Sequence, residues 1–205
     1  MTSQPTADAV AIVLAAGSGR RFGGPGALKQ LASFEGRPLV VHAVEVARAA
    51  GIERVIVVVG PRPEDVATVL IDHDVEVVVN EEHASGQASS LAAGLRAADD
   101  IEAATVAVVL LADQPGIAPH VVTDVVATTR ERGLVSRARY DDGPGHPVAL
   151  PRDRWDWIAG RVTGDAGVRQ LLGELDVVDV PVDGLAPPDV DTPQDLDTHG
   201  NSPGT

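Results

Sequence analysis

Ala9-Val-Ala-Ile-Val-Leu-Ala-Ala-Gly-Ser-Gly-Arg-Arg-Phe-Gly23 joins an uninterrupted apolar run to a glycine-rich turn carrying two arginines. A run apolar at every position is the pattern of a strand covered on both faces, as in a parallel sheet. Glycines at the strand's exit let a backbone approach a ligand closely, and their amides supply donors for an anion. The segments that follow keep the alternation. Helical spacing marks Pro38 to Ala50, Pro63 to Asp72, Ala88 to Ala98 and Ala118 to Arg132. Buried strands are expected at Arg54 to Val59, Val75 to Val79 and Thr105 to Leu111. Strand alternating with helix over this length implies a Rossmann-like α/β domain, a three-layer sandwich whose mostly parallel sheet has helices on both faces.

The remainder is less regular. Leu134 to Arg139 and Pro147 to Leu150 read as strands around an Asp141-Asp-Gly-Pro-Gly145 turn, Ala166 to Leu172 as a helix and Val177 to Val182 as a strand. Thr192-Pro-Gln-Asp195 has the residues of a helix start. One domain is expected over 9–198, with flexible ends at 1–8 and 199–205.

The chain has 205 residues, no cysteine and a formal net charge of −14. The charge disfavours nucleic acid and anionic membranes as partners. Missing cysteines exclude disulfides, thiolate metal sites and cysteine nucleophiles. No run reaches the roughly 18 to 20 apolar residues of a membrane span, and the polar start is unlike a signal peptide, so the cytoplasm is the expected location. The single lysine, Lys29, falls just after the glycine-rich turn.

Two better-known loops do not fit that turn. The dinucleotide fingerprint fails because Phe22 stands where its third glycine belongs, and the second strand runs into Gly60 rather than an acid. The P-loop fails because Gly24 is followed by Pro25. Leu14-Ala-Ala-Gly17 with Gly19, Arg21, Gly23 and Lys29-Gln-Leu31 instead resembles the signature of sugar- and cofactor-nucleotidyltransferases. Within that superfamily, nearly the whole chain resembles the molybdenum cofactor cytidylyltransferase group of the MobA-like family. The run Gly24-Pro-Gly-Ala-Leu28 before Lys29 is longer than these relatives usually carry.

The resemblance implies a fold of the nucleotide-diphospho-sugar transferase type. It places Leu14, Ala15, Ala16, Gly17, Ser18, Gly19, Arg21, Lys29, Asn80, Gly86 and Ser89 at the nucleotide. Plain N-capping is the alternative for Ser89 and Ser90. In Leu110-Leu-Ala-Asp-Gln-Pro115 an aspartate directly follows a buried strand, where its charge is costly unless used. Asp113 is accordingly the expected Mg²⁺ ligand, with Asp191, in the element Asp189-Val-Asp-Thr-Pro193, as the second. Arg21, Lys29 and Asp113 are the expected catalytic groups. Gln114, His146, Asp165 and Arg169 match positions associated with the acceptor, although Asp165 could equally cap a helix.

The implied reaction transfers CMP from CTP to the phosphate of the molybdenum cofactor, with Mg²⁺ and release of pyrophosphate. Guanylyl relatives usually have glycine where Ala16 stands, and a methyl group there crowds a purine. Other readings are transfer from GTP or to another phosphorylated acceptor, and a non-catalytic nucleotide-binding accessory protein serving a molybdoenzyme or its chaperone. A nicotinamide-dependent dehydrogenase is the rival from another class.

Overall fold

The computed structural model describes residues 6–17, 19, 22 and 27–200. β1 (Ala9–Ala15) is buried almost throughout because successive side chains enter two different cores. Ala9, Ala11, Val13 and Ala15 face one core, and Val10 and Ile12 face the other. The chain then forms a small hairpin, β2 (Ser33–Phe34) and β3 (Arg37–Pro38). α1 (Leu39–Ala49), β4 (Arg54–Val59), α2 (Pro63–Val69), β5 (Glu76–Val79) and α3 (Gln87–Asp99) follow. Next come β6 (Val106–Leu111), α4 (Pro119–Arg132), β7 (Val135–Tyr140), β8 (Gly143–Pro151) and α5 (Trp155–Ala159). A 3₁₀ segment, Gly164–Glu174, leads to β9 (Val177–Pro181) and α6 (Pro193–Gly200).

The seven-stranded sheet has the order β5-β4-β1-β6-β8-β7-β9. β4 and β6 flank β1, both parallel to it, and β5 extends β4 in parallel. β8 runs antiparallel to β6 and β7, and β9 is parallel to β7. Residues from α1, α2 and α4 cover one face. Residues from α3, α5 and the 3₁₀ segment cover the other. The expected single-domain, mostly parallel three-layer sandwich is the observed one. Among the described residues no helix is long and apolar enough to cross a membrane.

Several expectations change. The hairpin of β2 and β3 and helix α5 were not expected, and 166–172 falls within a 3₁₀ segment rather than an α-helix. β8 begins at Gly143, inside the expected turn, so His146 lies on a strand. The N-terminal segment is held from Thr6 onward. Thr6 is fully buried and donates to the Ala50 carbonyl at 3.0 Å, while Asp8 pairs with Arg130 and Thr105. Residues 1–5 and 201–205 lie outside the described residues, and α6 runs on to Gly200.

From β1 the chain moves outward to β4 and β5, then returns to β6 on the other side of β1. The carboxyl ends of β1 and β6 therefore border the point where the winding reverses, the place where open α/β sheets bind ligands. Close packing of α3 fixes this region. A Cβ built on Gly94 would lie 2.5 Å from Ile12 Cγ2 and 3.1 Å from Val58 Cγ2. Both neighbours are buried strand residues, so neither can swing aside. Gly94→Ala should therefore destabilise the fold by about 1–3 kcal/mol through overpacking, despite alanine's better helix propensity. Chemical denaturation checks this, and an unchanged or higher midpoint would show that the interface yields.

Candidate active site

The two aspartates expected to hold metal come together around the single lysine. Lys29 Nζ donates to Asp113 Oδ2 at 2.5 Å and to Asp191 Oδ1 at 2.9 Å. Lys29 opens a short 3₁₀ turn, Lys29–Leu31, that leads into the β2–β3 hairpin. Its side chain is 13% exposed, against 29% for Asp113 and 38% for Asp191. Burial opposes the charge on Lys29, but Asp113 and Asp191 outweigh it and hold the ammonium above its ordinary pKa. Asp189 lies in the same field. Desolvation, then the charges of Asp113 and Asp191, push its carboxyl up, with Lys29 and Arg169 opposing.

Backbone contacts carry Asp191 to β6. Val190 N–H donates to the Asp113 carbonyl at 2.8 Å, and Gln114 Nε2 donates to the Pro187 carbonyl at 2.9 Å. Val190 is fully buried with Phe34 and Leu39, and Phe22, Ala32 and Leu196 pack around them. Phe22 is thus an anchor: the residue that spoils the dinucleotide fingerprint ties the glycine-rich turn to the C-terminal arm. Asp195 Oδ2 accepts from the amides of Asp191 and Thr192 at 2.9 and 2.7 Å, a capping arrangement that starts α6 and fixes the backbone of Asp191.

Leu14, Ala15 and Ala16 end β1 and lead into the turn, with Ala15 and Ala16 buried and Gly17 exposed. Gly19 has a φ of +56°. A Cβ built there would lie 3.1 Å from Lys29 N and 3.3 Å from Lys29 Cβ. The turn therefore folds back against Lys29 despite the longer run between them. Ser18, Arg20, Arg21, Gly23 and Gly24 lie outside the described residues.

On the other side of β1, Asn80 follows β5 and is 5% exposed. Its Nδ2 donates to Ser89 Oγ at 2.8 Å and Ser90 Oγ at 2.9 Å, and its Oδ1 accepts from Glu82 N–H at 3.0 Å. Ser89 Oγ also lies 2.9 Å from the Gly86 carbonyl. Gly86, with φ of 116°, immediately precedes α3. Asn80, Ser89 and Ser90 thus lock β5 to the first turn of α3, and neither serine side chain caps the helix.

The acceptor candidates separate into two groups. His146 Nδ1 lies 3.4 Å from the Val109 carbonyl on β6. Burial holds its pKa below the ordinary value; the Val109 hydrogen bond opposes this, Arg169 adds to it and Asp113 opposes it. The charges of Asp113 and Arg169 therefore both reach the ring. Gln114 instead uses its amide on the C-terminal arm, and its buried Oε1 has no partner among the described residues. Asp165 and Arg169 belong to the 3₁₀ segment, and Arg169 is exposed. The side chain of Asp165 lies outside the described residues.

Two carboxylates sharing one cation are hard oxygen donors suited to Mg²⁺. Among the described residues no group of three His, Asp or Glu side chains is arranged to hold a metal. The donor set thus fits an ion shared with substrate phosphates rather than a closed protein site. Sequence reasoning singled out Phe22 and Gln114 without their strapping role, and did not single out Phe34 and Val190. A lone apolar side chain among polar neighbours, Phe34 in Ser33-Phe-Glu35 and Val190 in Asp189-Val-Asp191, was the available signal, but nothing local shows which residues they meet.

A glycine-rich turn after β1 and an aspartate after neighbouring β6 thus meet at one lysine, at the point where the winding reverses. The MobA-like NTP transferase domain matches residues 11–179, and the chain belongs to that family. A nucleoside triphosphate substrate is implied by it. The chain is 34% identical over 199 residues to nicotine blue oxidoreductase of Paenarthrobacter nicotinovorans, covering 91% of each protein. It superimposes on Rv0371c of Mycobacterium tuberculosis H37Rv with a TM-score of 0.79 and 32% identity, over 96% of this chain and all of that one. A second structure of Rv0371c, in complex with manganese, gives 0.72 and 31% over 96% of this chain and 100% of the other.

The neutral state of His146 has a consequence for stability. Its folded pKa lies below the value of 6.5 for the free side chain, so the unfolded chain takes up the proton first. Stability should fall as pH drops through 6.5, and above it the effect should vanish. His146→Gln should therefore narrow its deficit, or gain on the wild type, as the pH goes from 7.5 to 5.5. Parallel melting curves across that range would show that the ring is not held neutral.

Proposed function

We propose that the protein transfers CMP from CTP to the terminal phosphate of a molybdopterin-type cofactor carrying molybdenum, with Mg²⁺ as the cofactor. The observation that carries this reading is the convergence of Lys29, Asp113 and Asp191 at the winding reversal, with the glycine-rich turn against Lys29. An oxygen of the acceptor phosphate attacks the α-phosphorus of CTP, and the bond to the β-phosphate oxygen breaks to release pyrophosphate. Little covalent work falls to the protein, which must align the reactants and offset developing charge.

The turn, from Leu14 to Gly19 with Arg21, receives the triphosphate through amides and cationic side chains. Gly86, at the start of α3, and the segment locked by Asn80 and Ser89 border the nucleoside. Asp113 and Asp191 would hold Mg²⁺, which would neutralise phosphate charge there. That Rv0371c has been solved in complex with manganese supports a role for a divalent cation. His146, with Arg169 in its field, receives the acceptor phosphate, and Asp165 and Gln114 border that side. Gln114 acts there chiefly by holding the C-terminal arm. The methyl of Ala16 favours the smaller pyrimidine. A reaction between free CTP and a soluble cofactor fits the cytoplasm, with a molybdoenzyme or its chaperone as recipient of the product.

The name of the Paenarthrobacter relative raises oxidoreduction as a second reading. A screen that measures pyrophosphate release from CTP, GTP and ATP, and NADH oxidation in parallel, separates the readings. Release from CTP that depends on both Mg²⁺ and the cofactor supports the proposal and excludes a non-catalytic role. NADH oxidation without pyrophosphate release would overturn it.

Within that assay Asp113→Ala should lower turnover by about 10²- to 10³-fold while leaving the fold intact. Wild-type turnover in this variant would remove Asp113 from the site. Ala16→Gly should raise the ratio of GTP to CTP use, and an unchanged ratio would show that the base is selected elsewhere.

A further inference from the structure

Lys29 has two roles that it cannot fill at once. Its ammonium sits on Asp113 and Asp191 at 2.5 and 2.9 Å, where a divalent cation shared with phosphate would need the same oxygens. Its backbone and Cβ lie against Gly19 of the phosphate-binding turn. We propose that Lys29 is an exchangeable internal counter-ion: its ammonium occupies Asp113 and Asp191 in the free protein, and metal entry displaces it toward Gly19. The proposal rests on the metal assignment above and adds an ordered exchange to it.

Three observations support the exchange. Asp113 and Asp191 are bridged by this one side chain across sequence separations of 84 and 162 residues, so its ammonium occupies an oxygen of each of two partly buried carboxylates. Such a pair is costly unless a cation is present. The backbone strap, Val190 N–H to the Asp113 carbonyl and Gln114 to Pro187, does not involve the ammonium, so the carboxylates stay together when it leaves. The lysine stem is flexible, and its Cβ already borders Gly19, so a change of rotamer moves the charge without moving the chain.

Exchange also makes metal and nucleotide binding cooperative. Metal that reaches the site without phosphate must displace an ammonium that then has no anion to bind. With the triphosphate present, the displaced ammonium gains a new partner.

Lys29 is the chain's only lysine, so its reactivity toward an acylating reagent can be read by mass spectrometry on one peptide, in the unmodified wild-type chain. Mn²⁺ alone, at concentrations that saturate binding followed by electron paramagnetic resonance, should raise the acylation rate of Lys29 by about tenfold. Further addition of CTP should lower it again. Lys29→Gln should bind Mn²⁺ about tenfold more tightly than the wild type when no nucleotide is present.

If bound Mn²⁺ leaves acylation of Lys29 unchanged, or if Lys29→Gln binds Mn²⁺ no better, the exchange is overturned. Absence of Mn²⁺ binding by both proteins overturns it as well. Asp113→Asn distinguishes the levels. Unaltered Mn²⁺ affinity in that variant overturns the metal assignment itself, whereas lost affinity with a constant Lys29 acylation rate in the wild type overturns only the exchange.

Discussion

The ammonium of Lys29 meets two carboxylates from distant parts of the chain, and much of the architecture serves that meeting. A partly buried carboxylate is tolerable only with a counter-charge or well-placed donors. Asp113 stands directly beyond a buried strand, so it needs such a partner in every state of the protein. The chain supplies one by folding the glycine-rich turn back until Gly19 touches Lys29. It brings the second carboxylate by hanging the C-terminal arm on the backbone of Asp113 itself. Phe22, Phe34, Leu39 and Val190 then bury apolar surface between the turn, the hairpin and the arm. That small core adds a hydrophobic tie to an arrangement that would otherwise depend on charge and a few hydrogen bonds.

Most of the sheet was legible from hydrophobic runs, because strands buried on both faces leave an unmistakable apolar block. β1, β4 and β6 are of this kind. Asp113 was legible for the converse reason, a charge directly after such a block. Less could be read where structure depends on partners far away. β2 and β3 have two residues each, too few for any periodicity. α5 has five residues and owes its place to Trp155 and Ile158 in the second core. The resemblance sets Gln114 among positions associated with the acceptor, and the structure shows its Nε2 donating to the Pro187 carbonyl, a contact no local sequence pattern reveals. Asn80 and Ser89 were placed at the nucleotide, and their mutual hydrogen bond shows how that edge is made rigid. Propensity and motif reveal which residues are unusual, but not whether the unusual atom faces a ligand or a neighbour.

The charge distribution has a related logic. A chain of net charge −14 repels a nucleotide at long range. Attraction must come from a few cations at short range, where screening by salt is weak. Two cations of this edge are Lys29, held by Asp113 and Asp191, and Arg169 on the 3₁₀ segment. Salt should weaken the field of the exposed Arg169 more than that of the largely buried Lys29.

The antiparallel β8 divides the working edge by geometry. Parallel strands deliver residues to the working edge only from their carboxyl ends. β8 runs the other way, so it delivers His146 from near its beginning. One half of the edge therefore depends on the turns leaving β1, β5 and β6, and the other on the entry to β8 and the 3₁₀ segment after α5. Mutations that reshape one half need not disturb the other. A scaffold of this kind lets the surroundings of His146 and Arg169 be rebuilt without unpacking the elements that carry Lys29 and Asp113 to each other.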